Sequence, residues 1–114
     1  MTDDEVNETI AIAMRTPFGQ GRRDKPPDYP TDRRASAELE DWLQREGYEI
    51  RVATLEGRCR VRVTRRIDYV AAECIYAYTD TLSPSEARVR GLAECAAKML
   101  AGRPTAETRE NDAK

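Results

Sequence analysis

Residues 3–15, DDEVNETIAIAMR, put Val6, Ile10, Ala13 and Met14 on one stripe at helical spacing. The acidic residues at its start suit the positive end of a helix. A helix this short needs a partner surface to be stable. The following stretch, TPFGQGRRDKPPDYP, carries the Gly and Pro content of a linker or clamp loop. Residues 32–46, DRRASAELEDWLQRE, read as a second helix with Thr31 or Asp32 as N-cap. Its buried stripe is Ala35, Leu39, Trp42 and Leu43, and Gly47 supplies the stop.

From Tyr48 the period changes to two. Tyr48, Ile50 and Val52 alternate with Glu49, Arg51 and Ala53. Leu55, Glu56 and Gly57 make a turn, and Cys59, Val61 and Val63 then alternate with Arg58, Arg60 and Arg62. This is a half-buried antiparallel hairpin with one apolar and one charged face. Residues 64–70 hold the next reversal, and a third strand runs from Ala71 to Thr79. Its phase is open: Cys74, Tyr76 and Tyr78 line one face, Glu73, Ile75 and Ala77 the other. Ser83-Pro84-Ser85-Glu86 is a capping box with proline in the first turn. The helix it opens carries Val89, Leu92, Ala93, Ala96, Met99 and Leu100 on one face, and its small residues permit close approach to a sheet.

The expected fold is α+β: an α-β-β-β-α two-layer sandwich with a three-stranded antiparallel sheet and an additional N-terminal helix. The chain divides into residues 1–30 (helix and Gly/Pro-rich loop), 31–102 (sandwich) and 103–114 (a polar, disordered tail). A core of about 70 residues is marginal alone. The leading helix therefore caps the sandwich or packs on another subunit, and a homo-oligomer is expected.

Composition narrows the chemistry. The chain has 114 residues, 35% of them charged, a net charge of -2 and no histidine. Its mean hydropathy is -0.76. The absence of histidine excludes histidine triads, histidine metal sites and a histidine general base. No apolar run reaches the roughly 18 residues of a membrane span, and MTDDEVNE is too acidic for a signal peptide. Three cysteines, Cys59, Cys74 and Cys95, form no CxxC and fall on apolar phases. They read as reduced core thiols, with no histidine or flanking lysine to activate one. The carboxylates Glu38, Glu40, Asp41, Asp68 and Asp80 form no recognisable pair. Neither an enzyme nor a cofactor is expected.

Arginine stands out instead. Only Lys25, Lys98 and Lys114 are lysine, so arginine supplies 16 of the 19 basic residues. Arginine suits planar, multidentate contact with phosphate or carboxylate, although GC-rich coding also raises its frequency. Arg58, Arg60 and Arg62 share a strand face, Arg51 has the same phase on its neighbour, and Arg65 and Arg66 continue the block without an acid between them. Two readings stay open. The stripe is a local positive surface, or it is neutralised by Glu49, Glu56 and Glu73 at roughly 0.2–1 kcal/mol per pair. Tyr69, Tyr76 and Tyr78 lie near it, and arginine with tyrosine grips phosphates and stacks on bases. Arg22, Arg23 and Lys25 form a second basic cluster in the loop, but no phosphate-loop motif accompanies them.

Two resemblances bear on function. The element order and Ala-rich last helix resemble a double-stranded RNA-binding domain. That helix opens Ser85, Glu86, Ala87, Arg88, without the family's lysine pair, so the resemblance implies topology and not RNA contact. The chain is also similar to the phage αβα (ABA) sandwich domain family. The match rests on DDEVNETIAIAM, on Asp28-Tyr29-Pro30-Thr31-Asp32 entering the second helix, on Gly47-Tyr48, and on Thr79-Asp80-Thr81-Leu82 before the last helix. Pro30 and the Arg-rich middle strand depart from the family. This resemblance implies a phage origin, a host-cytoplasmic location and no particular activity.

The function expected from these readings is a non-enzymatic phage accessory protein of counter-defence type. It would sequester a host cyclic nucleotide signal on Arg51, Arg60, Arg62, Arg65, Arg66, Tyr69 and Tyr76. The alternative is a protein that blocks a host defence nuclease or effector, with Asp3, Asp4, Glu5, Glu38, Glu40 and Asp41 imitating phosphates. Nucleic-acid binding through the shared topology ranks third, and no membrane partner is expected.

Overall fold

Side chains cap the start of each described helix. The computed structural model describes residues 2–15 and 26–101. The loop cluster Arg22, Arg23 and Lys25 and the expected tail lie outside them. Helix α1 spans Asp3–Met14. It opens on a reciprocal box in which Thr2 Oγ1 accepts from Glu5 N–H at 3.2 Å and Glu5 accepts from Thr2 N–H at 3.1 Å. Helix α2 spans Arg33–Arg45 and is capped by Asp32, which accepts from Arg34 N–H at 2.9 Å and Ala35 N–H at 3.3 Å. Helix α3 spans Pro84–Ala101. Glu86 Oε1 accepts from Ser83 N–H at 3.1 Å and Ser83 Oγ accepts from Glu86 N–H at 3.3 Å, as the Ser-Pro-Ser-Glu pattern implied. Gly47, at φ 92°, turns the chain out of α2 through a conformation that other residues enter only with strain.

Three antiparallel strands follow, β1 (Tyr48–Leu55), β2 (Arg58–Arg65) and β3 (Ala71–Ala77), in spatial order β1-β2-β3. Ile50 pairs with Val63 and Val52 with Val61. Val61 in turn pairs with Cys74, and Cys59 with Tyr76. Directly paired residues share a face, so this register settles the open phase of the third strand. Cys74 and Tyr76 face the helices; Glu73 and Ile75 face away. The strand stops at Ala77, two residues short of the expected Thr79, which instead pairs with Leu82 in an isolated bridge.

The helices cover one side of the sheet. α2 lies on β1, α3 lies on β2 and β3, and α1 packs against α3. The leading helix thus joins the sandwich in cis. The close approach of α3 depends on its small residues. A Cβ at Gly91 would stand 2.8 Å from Val61 Cγ2, closer than packed carbon atoms come. Ala87, Ala93, Ala96 and Ala97 on the same helix are wholly buried. The buried face of α1 is Val6, Asn7, Ile10 and Ala11; Ala13 and Met14 are only half-buried. Asn7 displaces the expected stripe because its amide is used. Its Oδ1 accepts from Tyr29 N–H at 3.0 Å and its Nδ2 donates to Asp28 Oδ1 at 3.4 Å, tying the segment before α2 to α1. The element order is therefore α-α-β-β-β-α, an α+β sandwich with an extra N-terminal helix. No described helix is long and apolar enough to cross a membrane.

Candidate functional site

With all three helices on one side, the opposite face of the sheet is left open, and the middle strand fills it with arginine. Side chains alternate across a pleated strand, so Arg58, Arg60 and Arg62 project from β2 away from the core. The register then sets their neighbours. Arg51 stands opposite Arg62 on β1, and Glu73 stands opposite Arg62 on β3. Ala53 and Ile75 flank Arg60; Leu55 and Ala77 flank Arg58. Among the described residues, four guanidiniums thus share this face with two carboxylates, Glu49 and Glu73.

Both carboxylates are engaged away from Arg62. Glu49 accepts from Arg51 Nε at 2.6 Å, along its own strand. Glu73 pairs diagonally with Arg60 at 3.4 Å, through side chains that are both nearly half exposed. Among the described residues, Arg62 and Arg58 form no ion pair. Arg51, Arg60, Arg62 and Glu73, with Val52 and Ala53, line a depression of about 450 Å³. The two ion pairs are exposed, and pairs of that kind contribute about 0–1 kcal/mol, so a phosphate can compete for either arginine. Of the two readings left open for the stripe, neutralisation is thus only partial.

The remaining sequence-derived candidates lie elsewhere. Arg65 has the phase of Val61 and Val63, so it leaves the arginine face. Its guanidinium instead holds Asp68 in a two-point contact at 2.9 and 2.6 Å. Asp68 also accepts from Val70 N–H at 3.2 Å, so the pair shapes the β2–β3 turn. That contact holds the Asp68 carboxyl below the usual carboxylate range and raises Arg65. Tyr76 faces the helices, where burial and the neighbouring Glu94 push its hydroxyl up. A sequence argument from proximity misplaced both residues because strand parity, not distance along the chain, assigns the face. Arg66 and Tyr69 sit in the turn, both exposed; Tyr69 is 80% exposed with φ 62°. Among the described residues, the face that carries Arg51, Arg60 and Arg62 thus holds no aromatic ring.

Other charged groups satisfy one another. The groove between α2 and α3 has a volume of about 380 Å³. Arg33 donates to Ser85 there at 2.7 Å and Arg88 pairs with Glu40 at 2.9 Å. The acidic residues weighed as phosphate mimics are largely matched by arginine: Glu38 by Arg34 at 3.7 Å, Asp41 by Arg45 at 3.4 Å, and Asp3 by Arg90 at 3.2 Å. The three cysteines are buried and free. One expectation about them fails, because α3 brings Lys98 Nζ to 3.6 Å from Cys74 Sγ. The two residues are 24 apart in the chain, and no local pattern could have found the contact. Among the described residues no cluster of potential metal ligands occurs. Comparison with family models, with curated proteins and with solved structures returns no match.

Proposed function

We propose that the chain is a non-enzymatic capture protein that binds a phosphorylated ligand on the open face of its sheet, with Arg51, Arg60 and Arg62 as the gripping residues. The observation that carries this reading is Arg62, which has no ion pair among the described residues and stands directly opposite Arg51, while Glu49 is taken by Arg51 and Glu73 by Arg60. Like charges so placed cost stability, and an anion that bridges them removes the cost. Side chains in this patch are rooted about 5–7 Å apart, along and across strands. That spacing suits a ligand with more than one phosphate, the chemistry of a cyclic dinucleotide signal. With no ring on the face among the described residues, the affinity we propose comes from phosphates rather than base stacking. The phage-family resemblance supplies the setting, in which such capture silences a host alarm.

The test is a thermal-shift and calorimetry series with cyclic dinucleotides, cyclic ADP-ribose isomers and pyrophosphate. Binding by the native chain, lost in Arg62→Thr and weakened by salt, supports the reading. No binding by any of them removes it. A second reading takes the same face as the dock for an acidic host protein. It is favoured by Ile75, a large apolar side chain left 51% exposed beside Arg60. A stable host-protein complex that forms without any nucleotide and is broken by Ile75→Glu selects it over the first.

A further inference from the structure

Cys74 has only Glu73 and Ile75 as chain neighbours, but the packing of α3 on β3 gives it a different set. Glu94, Cys95 and Lys98 converge on it from the helix. Lys98 Nζ lies 3.6 Å from the Cys74 sulfur, and that thiol lies 3.9 Å from Glu94 Oε2. The Cys95 thiol donates to Val61 O at 3.2 Å, and Val61 is the residue directly opposite Cys74 on the neighbouring strand, so the helix brings Cys95 in beside Cys74. Tyr76 lies on the same strand face, and Glu94 helps to push its hydroxyl up.

Two sulfurs with unequal surroundings result. The thiol of Cys95 and the ammonium of Lys98 draw Cys74 down to about 7, against its burial and the charge of Glu94. The same contact, with burial, pushes Cys95 up. Cys74 keeps 7% exposure on an edge strand, whereas Cys95 is fully enclosed. Cys59 is the internal control: it is 2% exposed, and burial raises its thiol despite the Arg88 charge nearby.

We infer that Cys74 and Cys95 form a peroxide-reactive dithiol, with Cys74 the sulfur oxidised first and Cys95 the resolving thiol, closing to a disulfide that ties β3 to α3. The Cys74 thiolate attacks one oxygen of hydrogen peroxide. The O–O bond breaks, the sulfur is oxidised by two electrons to a sulfenic acid, and the second oxygen leaves as hydroxide and takes a proton to become water. The Cys95 sulfur then attacks the Cys74 sulfur. An S–S bond forms, the S–O bond breaks, and the departing hydroxide takes the Cys95 proton as a second water. Two thiols and one peroxide give one disulfide and two waters. Conversion of the Cys74 thiolate to a neutral sulfenic acid also removes the negative charge that disfavours ionisation of Cys95, so the first step prepares the second. The bond requires the two sulfurs to close to about 2.05 Å.

The intact chain, treated with hydrogen peroxide at neutral pH, alkylated and digested with trypsin, tests this. The expected product has lost two hydrogens, links peptide 67–88 to peptide 91–98, and is reversed by dithiothreitol. Cys95→Ser stops at the sulfenic acid, which dimedone captures on Cys74. Lys98→Gln alters an exposed side chain, keeps the melting temperature, slows oxidation several-fold and moves its pH profile upward. Oxidation of Cys59 as fast as Cys74, over-oxidation of Cys74 without the linked peptide, or an unchanged profile in Lys98→Gln overturns the assignment.

Discussion

Arg51 and Arg62 stand directly opposite each other on neighbouring strands, while the carboxylates nearest to them are bound to Arg51 itself, along its strand, and to Arg60. Facing like charges are destabilising in a sheet by a few tenths to about 1 kcal/mol. Arg62→Thr removes the repulsion and puts a residue of high strand propensity in its place. Its expected outcome is unchanged or slightly raised stability in urea titration, together with loss of phosphate binding. A clear destabilisation would mean that Arg62 serves the fold.

Arg65→Ala is the matched contrast. This guanidinium anchors Asp68 and with it the β2–β3 turn, on the other phase of the strand. The substitution lowers the melting temperature and leaves ligand affinity on the open face within about twofold, close to experimental error on the ~1.4 kcal/mol per decade scale.

The Asp68 carboxyl is held below its ordinary range, first by the Arg65 hydrogen bond. A depressed carboxylate stabilises the fold fully above its unfolded-state pKa, and that contribution is lost as pH falls through the depressed folded value. Glu86, held low by Ser83, acts in the same direction. Asp68→Asn and Glu86→Gln each flatten the acid limb of melting temperature against pH, and their curves converge on the native one at the acid end.

Gly91 has no room for a side chain, since its Cβ would meet Val61 Cγ2 at 2.8 Å. Gly91→Ala gains about 1 kcal/mol of helix propensity but is overpacked at a cost of about 1–3 kcal/mol. The net effect is destabilising. The double variant with Val61→Ala recovers part of the loss, and denaturant double-mutant cycles measure the coupling.

Asn7 is 7% exposed and accepts from the Tyr29 backbone at 3.0 Å. Asn7→Ala strands that N–H away from water, at about 1–3 kcal/mol. It also loosens α1 from the body of the fold. Faster amide exchange at Tyr29 and along α1, with β2 unchanged, is the expected pattern.

The element types and most of their ends were legible in the chain, because period, capping residues and turn glycines act over a few residues. Ser83-Pro84-Ser85-Glu86 and Gly47 are read correctly from neighbours alone. Strand parity likewise placed Arg58, Arg60 and Arg62 on one face. The tertiary structure decided what parity and proximity left open. Pairing register put Arg51 against Arg62 and turned Tyr76 toward the helices. A polar side chain, Asn7, took a buried position because the amide met partners 21 and 22 residues away. Lys98 and Cys95 came to Cys74 across the helix–sheet interface. Short-range preferences are written locally, whereas the charge and hydrogen-bond environment of a side chain depends on which distant segment packs over it, and only the assembled fold supplies that.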